Sequence, residues 1–181
     1  MIYTTDLQDQ ILLADGESIV GRDVMQSQIH GPAILIGIPQ AFDGHGALAV
    51  IRSSINGKQS WQDVAEQVVS SESQTYLGQS VQSIGDLDND HDDEVVVRSF
   101  AQDDEANLFV IRGKNLIGDD DVALEDITQA SVAGPYEINS TWHAGGFNSN
   151  NDNLNDLSLF APALENGSGG LLTFEMESLE D

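Results

Sequence analysis

The stretch GDLDNDHDDEVVVR, Gly85 to Arg98, places six carboxylates within nine positions, Asp86 to Glu94, and follows them with three valines. With Asp86 as position 1, Asp88 is 3, Asp90 is 5 and Glu94 is 9, while Asp92 at 7 can offer its main-chain carbonyl. Oxygens at alternate positions of a tight loop converge on one point. A hard cation such as Ca²⁺, which takes six to eight oxygens at about 2.3–2.6 Å, requires that arrangement. A solvated acidic turn is the plainer alternative, but so many like charges in one turn repel one another unless a cation intervenes. An EF-hand does not fit, because its position-12 Glu is replaced by Val97 inside the apolar run.

The loop has a copy. Aligning Glu94 with Asp156 in GFNSNNDNLNDLSLFAP, Gly146 to Pro162, matches Asp90 to Asp152, Asp88 to Asn150 and Asp86 to Asn148 at a period of 62 residues. Asn148, Asn150, Asp152 and Asp156 are then the candidate side-chain ligands, with Leu154 giving the carbonyl. Two carboxylates in place of four predict a weaker site. A step of 61 residues back from Glu94 reaches Ala33 in HGPAILIGIPQAFDGHGALAVI, where the carboxylates are gone but the downstream pattern persists. The spacing predicts no metal in that first loop, Met25 to Ala33.

Around these loops the apolar runs are short, rich in β-branched residues and bounded by Gly, Asp, Asn or Ser. Ala33–Ile38, Ala47–Ile51, Glu94–Val97, Leu108–Arg112, Leu157–Phe160 and Leu171–Phe174 therefore read as strands of an all-β chain. Trp61–Val69 is the one helix-like window, with Trp61, Val64, Ala65 and Val68 at helical spacing, although Val68-Val69 leaves a strand open there. Each repeat is expected to run polar loop, strand, short turn, strand, then a variable stretch holding another strand or two.

Composition narrows the function. The 181 residues include 31 acidic and 6 basic side chains, a formal charge of −25, which argues against nucleic acid or an anionic membrane surface as partner. With no cysteine there is no disulfide, thiolate site or cysteine nucleophile. No apolar stretch reaches the roughly 18 residues of a membrane span, so no membrane insertion is expected. MIYTTDLQDQ lacks the features of a signal peptide, so the chain is expected to be cytosolic or an excerpt of a longer exported protein. The four histidines are scattered, and no nucleophile elbow, phosphate-binding loop or zinc motif is present. Trp61 and Trp142 read as packing residues, and Gly118 to Asp121 as an exposed charged loop.

The pattern D-x-D-x-D-x-x-x-[DE] before an apolar strand resembles the FG-GAP repeat of integrin α-subunit heads and bacterial surface proteins. The residues that carry the resemblance are Leu77-Gly78, Gly85 to Asp90 and Glu94 to Val97 in the second copy. In the third copy they are Gly146 to Leu157, Ala161-Pro162 and Gly169 to Leu171. The first copy keeps only Ile38-Pro39 and Gly46-Ala47-Leu48. Asn89 and His91, like Asn151 and Asn153, stand where the family usually has glycine; Asn tolerates positive φ, His less readily.

The resemblance implies β-propeller blades of four strands, about three of them. They would span roughly 17–60, 76–118 with calcium loop 86–94, and 138–177 with calcium loop 148–156. It also implies one or two structural Ca²⁺ ions and recognition through loops. Three blades cannot close a ring, so the chain is expected to be part of a larger propeller or to self-associate. The function expected is a non-catalytic extracellular or cell-surface adhesion module for an unidentified protein or glycan. A non-catalytic module of a larger secreted hydrolase and a structural spacer are the alternatives.

Overall fold

The computed structural model describes residues 10–73, 75–100, 105–135, 143–147, 156–164 and 168–174. Within them the chain is mostly strand, arranged as successive sheets. The first sheet contains β2 (Gly21–Met25), β3 (Ala33–Ile38), β4 (Ala47–Ile51) and β6 (Gln67–Ser70), each antiparallel to its neighbour. The second contains β7 (Ser80–Gly85), β8 (Glu94–Phe100), β9 (Glu105–Ile111) and β11 (Thr128–Pro135). The third contains β12 (His143–Phe147), β13 (Asp156–Leu164) and β14 (Ser168–Phe174).

The repeat expected from the loops is the repeat of the strands. β3, β8 and β13 begin at Ala33, Glu94 and Asp156, at the intervals of 61 and 62 residues that separate the loop copies. Their first strands lie side by side, β7 against both β2 and β12. Ala33–Ile38 and Ala47–Ile51 occur as expected, and both are buried along their whole length. Burial on two faces is what turns a strand into an uninterrupted apolar run. The Trp61–Val69 window holds both alternatives in turn: one helical turn, α1 (Trp61–Val64), capped by the Ser60 side chain, and then strand β6.

Two short strands extend the repeat. β5 (Gln59–Ser60) precedes α1, and β10 (Val122–Ala123) precedes a second turn, α2 (Leu124–Ile127). β5 pairs in parallel with β1 (Ile11–Leu12). β10 pairs in parallel with β6, so the first sheet gains a fifth strand from the second repeat. Side chains reinforce that junction: Val68 N–H donates to Asp121 Oδ1 at 3.0 Å, and Ser71 Oγ donates to Glu125 Oε1 at 2.9 Å.

The first two sheets share one core. Met25, Leu35, Leu48, Val50 and Val69 of the first pack with Val81, Val95, Val97 and Ile111 of the second. The opposite face of the first sheet, Ile34, Ile36, Ala49 and Ile51, packs on Ile11, Trp61 and Val64. Trp61 is thus a core residue, 1% exposed, and its indole N–H donates to Glu17 Oε2 at 2.9 Å. Trp142 lies outside the described residues.

Where β2 and β3 meet the start of β7, glycines replace side chains. Gly21 N–H donates to Gly78 O at 3.2 Å, and a Cβ on Gly37 would overlap the Gly78 carbonyl. The offending atoms are main chain, so the overlap cannot be relieved by a rotamer change. Gly37→Ala is expected to destabilise the protein by about 3 kcal/mol or more in denaturant unfolding. Gly118→Ala, where the nearest atom to a new Cβ is Gln67 Nε2 at 3.4 Å, is expected to be close to neutral.

Candidate metal centre

The acidic turn is built by its backbone before its charges matter. Gly85 ends β7 at φ 84°, with a register shift between Ser83 and Gly85 against β8. Asn89 and His91 take φ 61° and 79°, the left-handed region where glycine is usual. Leu87, fully buried, anchors the turn, and Gly113 packs beneath it so closely that a Cβ there would lie 2.7 Å from Asp92 Cβ.

Amides and carboxylates then fold the loop onto itself. His91 N–H donates to Asp86 Oδ2 at 3.0 Å, Asp90 N–H to Asp88 Oδ1 at 3.3 Å, and Asp92 N–H to Asp90 Oδ1 at 3.0 Å. Glu94 closes it from the first residue of β8. Its Oε2 accepts from Leu87 N–H at 2.6 Å and its Oε1 from Gly113 N–H at 3.3 Å. The loop also grips the first repeat. Gln28 N–H donates to His91 O and Asp93 N–H to Gln26 O, both at 2.9 Å, while Asp93 Oδ2 accepts from Gln26 N–H and Ser83 Oγ. The first repeat's loop therefore meets the second repeat's loop as a β-bridge, Ser27 with Asp92.

Of the five expected ligands, Asp86, Asp88 and Glu94 come together, each with a carboxylate oxygen within 4.8 Å of the others, as a group that could hold a metal ion. Asp90 and Asp92 stand beside this trio. Asp90 Oδ2 and Asp92 Oδ1 are buried with no hydrogen-bond donor among the described residues, and Asp92 as a whole is 3% exposed. A buried carboxylate oxygen without a donor is costly, and a cation is the partner that would offset the cost. Asn148, Asn150, Asp152 and Leu154 of the third repeat lie outside the described residues. Asp156 is described: fully buried, it opens β13 as Glu94 opens β8.

Three contributors had no signal in the alternating-ligand pattern: Gly113, which donates to Glu94, and two cations. Arg112 Nε lies 3.7 Å from Asp88 Oδ2, and the charge of Lys114 acts on Asp90. They follow β9 directly. The repeat itself could have pointed to them, since Arg52 follows β4 in the same way; Arg52 pairs with Glu66, and Arg112 Nε donates to Gln129 Oε1. Of the exposed run Gly118 to Asp121, only the Asp121 carboxylate has a structural role, on Val68.

Burial pushes the Glu94 carboxyl up from 4.5 to about 7, against the two amides that favour its ionised form, and the negative charges of Asp88 and Asp90 add to the rise. Burial likewise raises Asp90, opposed by the Asp92 amide and Lys114 and aided by the charges of Asp88 and Asp92. Between about 4.5 and 7 the folded protein thus keeps a proton on Glu94 that the unfolded chain releases, so metal-free stability falls as pH rises through that window. The loss is on the order of 3 kcal/mol. Melting in chelator from pH 5 to 8 is expected to show this decline, and Glu94→Gln is expected to flatten it.

Among the described residues no helix is long and apolar enough to cross a membrane. No protein-family model matches the chain, and no curated protein matches it.

Proposed function

We propose that this chain is a calcium-stabilised, non-catalytic binding module of propeller-type blades, similar to FG-GAP repeats and working at a cell surface or outside the cell. The reading rests on motif, period and geometry. The observation that carries it is the trio Asp86, Asp88 and Glu94, gathered at the mouth of a buried strand beside carboxylate oxygens that lack donors. Three carboxylates on one point suit a hard divalent ion far better than a soft one, and the absence of Cys and of clustered His removes the ligands a transition metal would prefer.

The blade arrangement has separate support. Sheets recur at a constant interval, their first strands are neighbours, and the apolar faces of consecutive sheets pack together. That is how blades stack around an axis. In this reading Ca²⁺ is structural. It neutralises the turn, fixes the start of β8, and thereby sets the second blade against the first. Recognition of a protein or glycan falls to surface loops, and further blades come from a longer chain or from another copy.

At free Ca²⁺ of 100 Kd, binding to the native state alone is worth about 2.7 kcal/mol, or a rise of roughly 5–10 °C in Tm for a chain of this size. Asp88→Ala is expected to remove most of that rise, and Asp120→Ala to leave it intact. Differential scanning calorimetry of metal-stripped protein with and without Ca²⁺ makes the comparison. Equal sensitivity of the two variants would reduce the effect to charge screening and end the calcium reading.

A further inference from the structure

Away from the acidic loop, a cleft of ≈ 270 Å³ opens where the first strands of the first two sheets meet. Its lining includes Arg22, Gln79, Ser80 and Arg98, with Gly21 and Val81 beneath. Two of the six basic residues of a chain charged at −25 thus line one depression. They come from different repeats, Arg22 from β2 and Arg98 from β8.

The cleft is preformed. Its floor is the glycine contact between the repeats, where Gly21 N–H donates to Gly78 O and no room exists for a Cβ on Gly21 beside Val81. Arg98 is fixed from several sides. It pairs with Ser80 across the β7–β8 ladder, and its carbonyl accepts from Gly78 and Gln79 N–H at 3.0 and 3.1 Å. Its guanidinium lies 4.4 Å over the Phe100 ring, and the residue is 8% exposed. Holding a guanidinium out of water carries a desolvation cost, which a strong charged acceptor offsets. Arg22, by contrast, is exposed and supplies charge at the rim.

We propose that this cleft is a binding site for a carboxylate, taken between the Arg22 and Arg98 guanidiniums with Gln79 and Ser80 as auxiliary donors. A guanidinium presents several donors in a fixed fork that matches a carboxylate, and two of them select for a compact anion. Polyanions are disfavoured, because the surrounding surface repels extended negative charge. The volume lies just below that of most drug-sized ligand sites, so the fitting ligand is a short dicarboxylate or a single Asp or Glu side chain of a partner. The site is independent of the cation loop. It also gives a purpose to residues that β-strand formation leaves unexplained, an arginine on each of two adjoining repeats.

The test is calorimetric titration of the full chain with succinate, with the peptide acetyl-Gly-Glu-Gly-amide, and with neutral succinamide. Each is run in Ca²⁺ and again in chelator, so that failure here is distinguishable from failure of the calcium reading. Saturable binding of succinate or the peptide, with none of succinamide, is expected; the tighter of the two names the source of the carboxylate. Arg22→Gln, at an exposed position, is expected to weaken it by about tenfold or more with Tm unchanged. Arg98→Lys, which keeps the charge and loses the fork, is expected to weaken it as well. Absence of binding by both carboxylates, or binding that Arg22→Gln leaves untouched, would overturn the proposal.

Discussion

Negative charge has to be buried beside β8, and much of the structure follows from how that is managed. Glu94 is the first residue of a strand whose next five residues are all buried, so its carboxylate enters the protein with the strand. Leu87 and Gly113 turn their amides toward it, Arg112 approaches Asp88, and the backbone of the turn adopts positive φ at two non-glycine residues to bring the other carboxylates round. Each of these adjustments has a cost of its own, in conformational strain or in desolvation. They make sense together as a cage around one positive ion.

The same turn is also the contact between repeats. Its outer side forms a β-bridge with the loop of the preceding repeat, the loop that lacks carboxylates. One loop supplies the charged cage and the other the neutral surface on which it rests. The degeneration of the first copy thus has a structural use: two acidic turns facing each other across a β-bridge would repel.

Much of this was legible in the sequence where burial is two-sided. Ile34 to Ile38 and Ala47 to Ile51 show an unbroken apolar run because both faces are covered, and their limits could be read directly. The 61- and 62-residue intervals were legible too, because loop and strand recur together. The first strands of the sheets were not. β2 and β7 carry Arg22, Asp23, Gln82 and Ser83 in their middles, since each pairs through hydrogen bonds on one side only within its sheet. The short parallel pairings were hidden for a different reason: two-residue strands have no period. Among the candidate ligands, spacing found the three that cluster, while Gly113 could be found only from the fold, being 19 residues distant from the carboxylate it serves.

The parallel pairing of β10 with β6 bears on where this chain could be divided. The outermost strand of the first sheet belongs, by sequence, to the repeat that follows, and β1 stands to β5 as β6 stands to β10. Sequence periods and physical layers are therefore out of step. A scissor cut at any period boundary strips one layer of its border strand and leaves the next with an orphaned two-residue stub. Neighbouring layers are interleaved like the fingers of folded hands, and an excised single period would not reproduce the object it came from.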